Sequence, residues 1–278
     1  MAARAGFVAL ALVLLATQAP AQTTITTCGQ EVKGFASLAG DLDCTGFAGN
    51  AVTLHGGKLY LNGHTLIGGA VGVYCDGNCK VYGPGAVSGS TGIGILAFGV
   101  PLQLTQVDVT NHAVAGAECS KTCKITGPAT VSGNGSGIRA GTTVHVRGMT
   151  ITGNQRGVDA SNNGVHARAL LFDSTVTGND VGAIADRLVK TVNTTITGNR
   201  LFGIYAGNGS CTKKATATVK GGTVSGNGTD AGCGTTVACA DLGTCGAAPL
   251  LAGGATCDHS YANGSGIPGT DWDVCALD

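Results

Sequence analysis

A five-residue phrase recurs five times along the chain: Thr-Val-Ser-Gly-Asn at 130–134 and 223–227, Thr-Val-Thr-Gly-Asn at 175–179, and Thr-Ile-Thr-Gly-Asn at 150–154 and 195–199. A fixed period of this kind signals stacked units, each too small to bury an apolar face alone. Within the phrase a β-branched apolar residue sits between hydroxyl residues, the period-two pattern of a short strand with one side chain turned inward. Stacking in register would gather Val131, Ile151, Val176, Ile196 and Val224 into one interior ladder, each worth roughly 1.5–3 kcal/mol on full burial. Gly then permits a tight corner. The Asn that follows can bond the corner backbone and its own copy one rung away. Unpartnered, a buried amide costs roughly 1–3 kcal/mol, so Asn134, Asn154, Asn179, Asn199 and Asn227 make sense as a structural ladder only if the coils stack. A second apolar step follows each corner, as in Gly137-Ile138, Gly157-Val158 and Gly203-Ile204.

The expected fold is therefore all-β: a single-stranded right-handed parallel β-helix of about eight coils with a disulfide-tied C-terminal cap. Taking the ladder as Gly69, Ser90, Asn111 and the five Asn gives steps of 21, 21, 23, 20, 25, 20 and 28 residues. At about 4.8 Å per coil the rod would be about 40 Å long. Residues 1–21 read as a signal peptide, with Arg4, an apolar run from Phe7 to Ala16, and Ala19-Pro20-Ala21. Residues 22–50 read as an N-terminal cap, 51–228 as the β-helix and 229–278 as a Cys-rich cap holding the one Trp, Trp272.

Twelve cysteines after an export signal fit an oxidising compartment. Cys28 with Cys44, and Cys257 with Cys275, are candidate cap staples. Cys75 with Cys79 and Cys119 with Cys123 are candidate loop clips at equivalent corners. Neither clip has a second Cys or His pair at zinc spacing, so no metal is expected. The formal net charge is +0, which suggests neither nucleic acid nor an acidic membrane as partner. The expected location is secreted, extracellular or periplasmic, with no membrane insertion and no cofactor.

The stretch Leu61-Asn62-Gly63-His64-Thr65-Leu66-Ile67-Gly68, preceded by Cys28-Gly29 and Asp41-Leu42-Asp43-Cys44, resembles the secreted bacterial right-handed parallel β-helix repeat proteins of the pectate-lyase superfold and its NosD-type relatives. The resemblance covers the mature chain to about Asn227. It implies export, with carbohydrate as a common ligand or substrate. A leucine-rich repeat fits Met149-Thr150-Ile151-Thr152-Gly153-Asn154, but the other copies lack the leucines it requires.

One constellation points to chemistry. His145-Val146-Arg147 and His166-Ala167-Arg168 lie 21 residues apart, about one coil, so alternation would stack both pairs on one outer face with Lys124 before and Lys190 after. Such a strip would bind an acidic polysaccharide, an Arg gripping each carboxylate in bidentate fashion. The resemblance also implies, for lyases, a basic residue that abstracts the proton beside a uronate carboxylate. His145, Arg147, His166, Arg168 and Lys190 are thus the candidate carbohydrate-binding residues. Catalytic residues are not identified.

His64 reads as a structural corner residue, and Arg139 with Asp159 as a surface pair one rung apart. Glycosidase chemistry needs two carboxylates across a cleft. Asp173, Asp180 and Asp186 are too dispersed for that. The leading expectation is carbohydrate binding, with the outer Thr and Ser columns a flat polar face for extended chains. The alternatives are a polysaccharide lyase or epimerase, and a structural surface or adhesion protein.

Overall fold

A computed structural model describes residues 22–161, 166–207, 215–228, 240–245, 250–257 and 260–263. Residues 1–21, Trp272 and Cys275 lie outside the described residues. Among the described residues there are 26 strands and no helix. Each strand pairs in parallel with segments one turn before and after it. The result is an all-β parallel solenoid of about eight turns, with three strand segments per turn stacking into three sheets.

The recurrent phrase builds the first sheet. Its inward file runs Leu66, Val87, Val109, Val131, Ile151, Val176, Ile196, Val224 in unbroken register. Leu42 joins below and Cys257 above, and every member is buried. The ladder thus continues past 51–228 at both ends. Gln30–Leu38 lies beside Asn50–Tyr60, and Ala240–Cys245 beside Phe202–Ala206.

The second sheet follows the Asn corner, with Val52, Val73, Ile95, Ala117, Ile138, Val158, Ala183 and Ile204 as one of its inward files. The third sheet completes each turn, turning Leu59, Val81, Leu104, Ile125, Val146, Leu171, Thr191 and Val219 inward. Thr191 breaks that apolar file. Among the described residues its hydroxyl is the buried side-chain oxygen with no hydrogen-bond partner. Thr191→Val keeps the shape and removes the desolvated group, and should raise unfolding stability by about 1 kcal/mol, read as a higher urea midpoint.

The corners are held by an amide ladder. The backbone N–H of Asn134, Asn154, Asn179 and Asn199 each donates at 3.0 Å to the side-chain oxygen of the next Asn up, ending at Asn227. Each side-chain amide also donates to the following amide oxygen, at 2.7–3.0 Å. It reaches inward as well to a carbonyl of the apolar file, Asn179 to Ile151 for example. Glycine beside the ladder is a steric requirement. A Cβ on Gly157 would sit 2.5 Å from the Gly182 carbonyl oxygen and 3.2 Å from the Asn179 amide nitrogen.

One rung differs from the sequence reading. Asn111 is not in the ladder; it takes the left-handed corner, with φ of 60°, that glycine occupies elsewhere. His112 fills the ladder place instead, and its ring makes both bonds of an Asn. Nδ1 accepts from Ser90 N–H at 3.1 Å, and Nε2–H donates to the Val87 carbonyl at 3.0 Å.

Cys28–Cys44, Cys75–Cys79 and Cys119–Cys123 are disulfides, with Cα separations of 5.7, 6.0 and 5.9 Å. Cys75 and Cys119 stand two rungs apart in one file, with Ala97 between. Cys257 is also disulfide-bonded. These bonds suit an oxidising compartment. Among the described residues no helix is long and apolar enough to cross a membrane.

Candidate functional site

Alternation in the third sheet sends every second side chain outward, and register stacks these into columns. One outward column reads Lys58, Lys80, Gln103, Lys124, His145, Leu170, Lys190. Beside it stand Tyr60, Tyr82, Thr105, Thr126, Arg147, Phe172, Val192 and Lys220. With Arg168 the sheet carries seven fixed positive charges. Its strand segments from 57–60 to 216–220 contain no Asp or Glu. The chain's neutrality therefore hides a polarised molecule, because the acids lie on the other sheets and at corners.

Two shallow hollows run along this face and share Lys124. One, of about 340 Å³, is lined by Lys80, Pro101, Gln103, Thr122 and Lys124 among others. The other, of about 250 Å³, lies between Lys124, Thr126, His145, Arg147 and Phe172. Aromatic rings flank the groove at both ends. Tyr60 and Tyr82 stack at 5.2 Å with planes 15° apart. At the far end the Arg147 guanidinium lies 5.3 Å from the Phe172 ring centre and 3.5 Å from an Asp173 carboxylate oxygen. Arg147 is thereby held over an aromatic surface while remaining exposed.

Partial burial, and secondarily the nearby Lys124 charge, lower the pKa of His145 below the ordinary 6.5. The ring is neutral at neutral pH. Protonation on acidification would add a charge to the middle of the groove.

The sequence-derived residues divide into two groups. His145 and Arg147 share the groove, and Lys190 lies one rung beyond Leu170 in the same column. His166 and Arg168 do not stack on them. Leu170 is the rung neighbour of His145, Phe172 that of Arg147, and Arg168 pairs with Thr143. The reason is a longer corner: seven residues separate Ala160 from Arg168, where two separate Ala140 from Thr143 and Ala185 from Leu188. Arg168 lines a separate hollow of about 370 Å³ with Arg187, Leu188 and Thr216. His166 Nδ1 accepts from Arg187 at 3.0 Å.

Residues missed from sequence are Lys58, Tyr60, Lys80, Tyr82 and Phe172. A signal existed for four of them, since Lys58-Leu59-Tyr60 and Lys80-Val81-Tyr82 share a Lys-apolar-Tyr pattern 22 residues apart.

Asp173 stands beside Arg147, whereas Glu118, Asp159, Asp180 and Asp41 are engaged elsewhere. Arg139 pairs with Glu118 at 2.5 Å rather than with its upper neighbour Asp159. Asp159 is buried and bonds Arg156 at 2.8 Å together with Ser161. Asp180 holds Arg200 at 2.8 Å, and His64 Nδ1 lies 3.6 Å from Asp41. Among the described residues no group of three or more His, Cys, Asp or Glu side chains could hold a metal ion. Compared with protein-family models, with curated proteins and with solved structures, the chain finds no match in any of the three.

Proposed function

We propose that the protein is exported and binds an extended acidic polysaccharide along the outer face of its third sheet. The observation that carries this reading is a run of stacked cations without one acid in their strands. A polyanion laid along the axis meets Lys80, then Lys124 two rungs on, then Arg147 on the next rung, at about 4.8 Å per rung. Tyr60, Tyr82 and Phe172 offer flat apolar surfaces to sugar rings. The resemblance to secreted β-helix repeat proteins agrees with export and with a glycan ligand.

The test is retention on an alginate or pectate affinity gel. Wild type should bind, and elution should need added salt because exposed charges are screened beyond a Debye length of about 10 Å at 0.1 M. The Lys80→Ala, Lys124→Ala, Arg147→Ala triple variant should pass through unretained. Arg168→Ala, in its own hollow, should change retention less. Equal retention of wild type and triple variant would end the proposal, and equal retention on DNA-cellulose would reduce it to general polyanion binding.

Histidine 145 gives the same site a pH dependence. Its lowered pKa means that charge is gained only as pH falls below about 6.5. Retention should therefore strengthen on acidification through that region, and His145→Gln should abolish the increment. A neutral imidazole beside two cations also favours a second reading, a polysaccharide lyase or epimerase. Lys124 and Arg147 would neutralise a uronate carboxylate while His145 takes the adjacent carbon-bound proton. In the lyase the β C–O bond then breaks and the departing oxygen takes a proton from water; in the epimerase water returns a proton to the opposite face of the same carbon. Ultraviolet absorbance from unsaturated sugar ends would reveal the lyase and a changed ratio of uronate epimers the epimerase; the absence of both with intact binding leaves the binding reading.

A further inference from the structure

The first sheet has an outer face of a different kind, independent of the basic groove. On the five rungs of the repeated phrase the outward side chains form two complete hydroxyl columns. One is Thr130, Thr150, Thr175, Thr195, Thr223; the other is Ser132, Thr152, Thr177, Thr197, Ser225. The second column continues downward through Thr110 and Ser88, and the first upward to Thr256. No charged residue occurs within these five strand segments. Thr150, Thr175 and Thr195 are exposed and the others at least partly so.

We propose that this face binds the surface of ice. A parallel sheet fixes the spacing between rungs at about 4.8 Å and between i and i+2 along a strand at about 6.6 Å. Ten hydroxyls thus occupy a rectangular array whose rung repeat of about 4.8 Å lies close to the shorter repeat of water oxygens on the prism faces of hexagonal ice. Among the described residues none of the ten hydroxyls has a hydrogen-bond partner. Each retains its donor and both lone pairs for water. Eight of the ten are Thr, whose methyl groups limit the positions that bound water can take. The amide ladder at the corner beside the face, with its 3.0 Å bonds from Asn134 to Asn227, stiffens the array and so lowers the cost of ordering it at binding. Glycan recognition by stacking would want aromatic rings or charges here, and the five segments have neither.

The test is partition of the full purified protein into slowly grown polycrystalline ice, alongside inhibition of ice recrystallisation in sucrose. Wild type should enter the ice and keep grains small, while serum albumin stays in the liquid. Thr150→Lys, Thr175→Lys, Thr195→Lys together should reduce uptake to the albumin level while the thermal melt stays as in wild type and alginate retention, which added cations can only strengthen, is not lost. Thr175→Lys alone, at the centre of the array, provides the comparison if the triple variant melts early. Exclusion of wild type from ice overturns the proposal. So does uptake of folded lysine variants equal to wild type. Binding through these threonines to microcrystalline cellulose or chitin, without ice uptake, also overturns it and assigns the face to a crystalline glycan.

Discussion

Asn179→Ala is expected to destabilise the protein by about 2–5 kcal/mol, seen as a large drop in the urea midpoint. The side chain accepts from the N–H and the side-chain amide of Asn154. It also donates to the Ile151 and Thr177 carbonyls and to the Asn199 amide. Alanine leaves the buried Asn154 N–H and the Ile151 carbonyl without these partners, at roughly 1–3 kcal/mol for each unsatisfied group. Asn179→Asp should be nearly as harmful, since a carboxylate accepts from Asn154 but cannot donate to the carbonyls. A loss below about 1 kcal/mol for both, the ordinary net worth of one hydrogen bond, would mean that the ladder contributes little.

The second large effect is a dependence on pH set by one histidine. Burial lowers the His112 pKa from 6.5 to about 4, against a smaller opposing contribution from the Val87 carbonyl. The unfolded chain therefore binds this proton more readily than the folded one between pH 4 and 6.5. Stability from this group is fully present above 6.5 and is lost as pH falls toward 4. The depression of about 2.5 units corresponds to about 3 kcal/mol. Structurally, a protonated Nδ1 can no longer accept from Ser90 N–H. His112→Asn should keep the bonds that Asn134 makes one rung up and remove this part of the acid sensitivity. Urea titrations of both proteins at neutral and acid pH check it. Parallel pH profiles for the two would show that His112 is not the source.

How much of this was written in the sequence varies with the sheet. The first sheet is legible because its phrase repeats almost letter for letter, so Val131, Ile151, Val176, Ile196 and Val224 fall into the expected file. The ladder misassignment at Asn111 has a local cause. Asn tolerates the left-handed corner that glycine usually takes, so counting to the Asn stops one residue short of the ladder residue, His112. The third sheet repeats only a Lys-x-Tyr triplet, at 58–60 and 80–82, and its other outward positions mix Gln, His, Leu, Lys and Thr. Its basic face emerges only after the other two sheets fix the register. The His-x-Arg pairs show the opposite failure. A clear motif at one-coil spacing is displaced by the long corner between Ala160 and Arg168, which puts Arg168 beside Thr143.

Both proposed surfaces depend on turns stacked one upon another with a constant rise. Spin labels placed at Thr65 and, in separate variants, at Thr130, Thr175 and Thr223 measure that rise by pulsed electron resonance. These positions lie on one outward column of the first sheet. At about 4.8 Å per rung the separations should grow through about 14, 24 and 34 Å. Three narrow distributions on that line are the predicted result; distances that fail to increase in order, or a label at Thr223 closer than one at Thr175, would contradict the stacked solenoid.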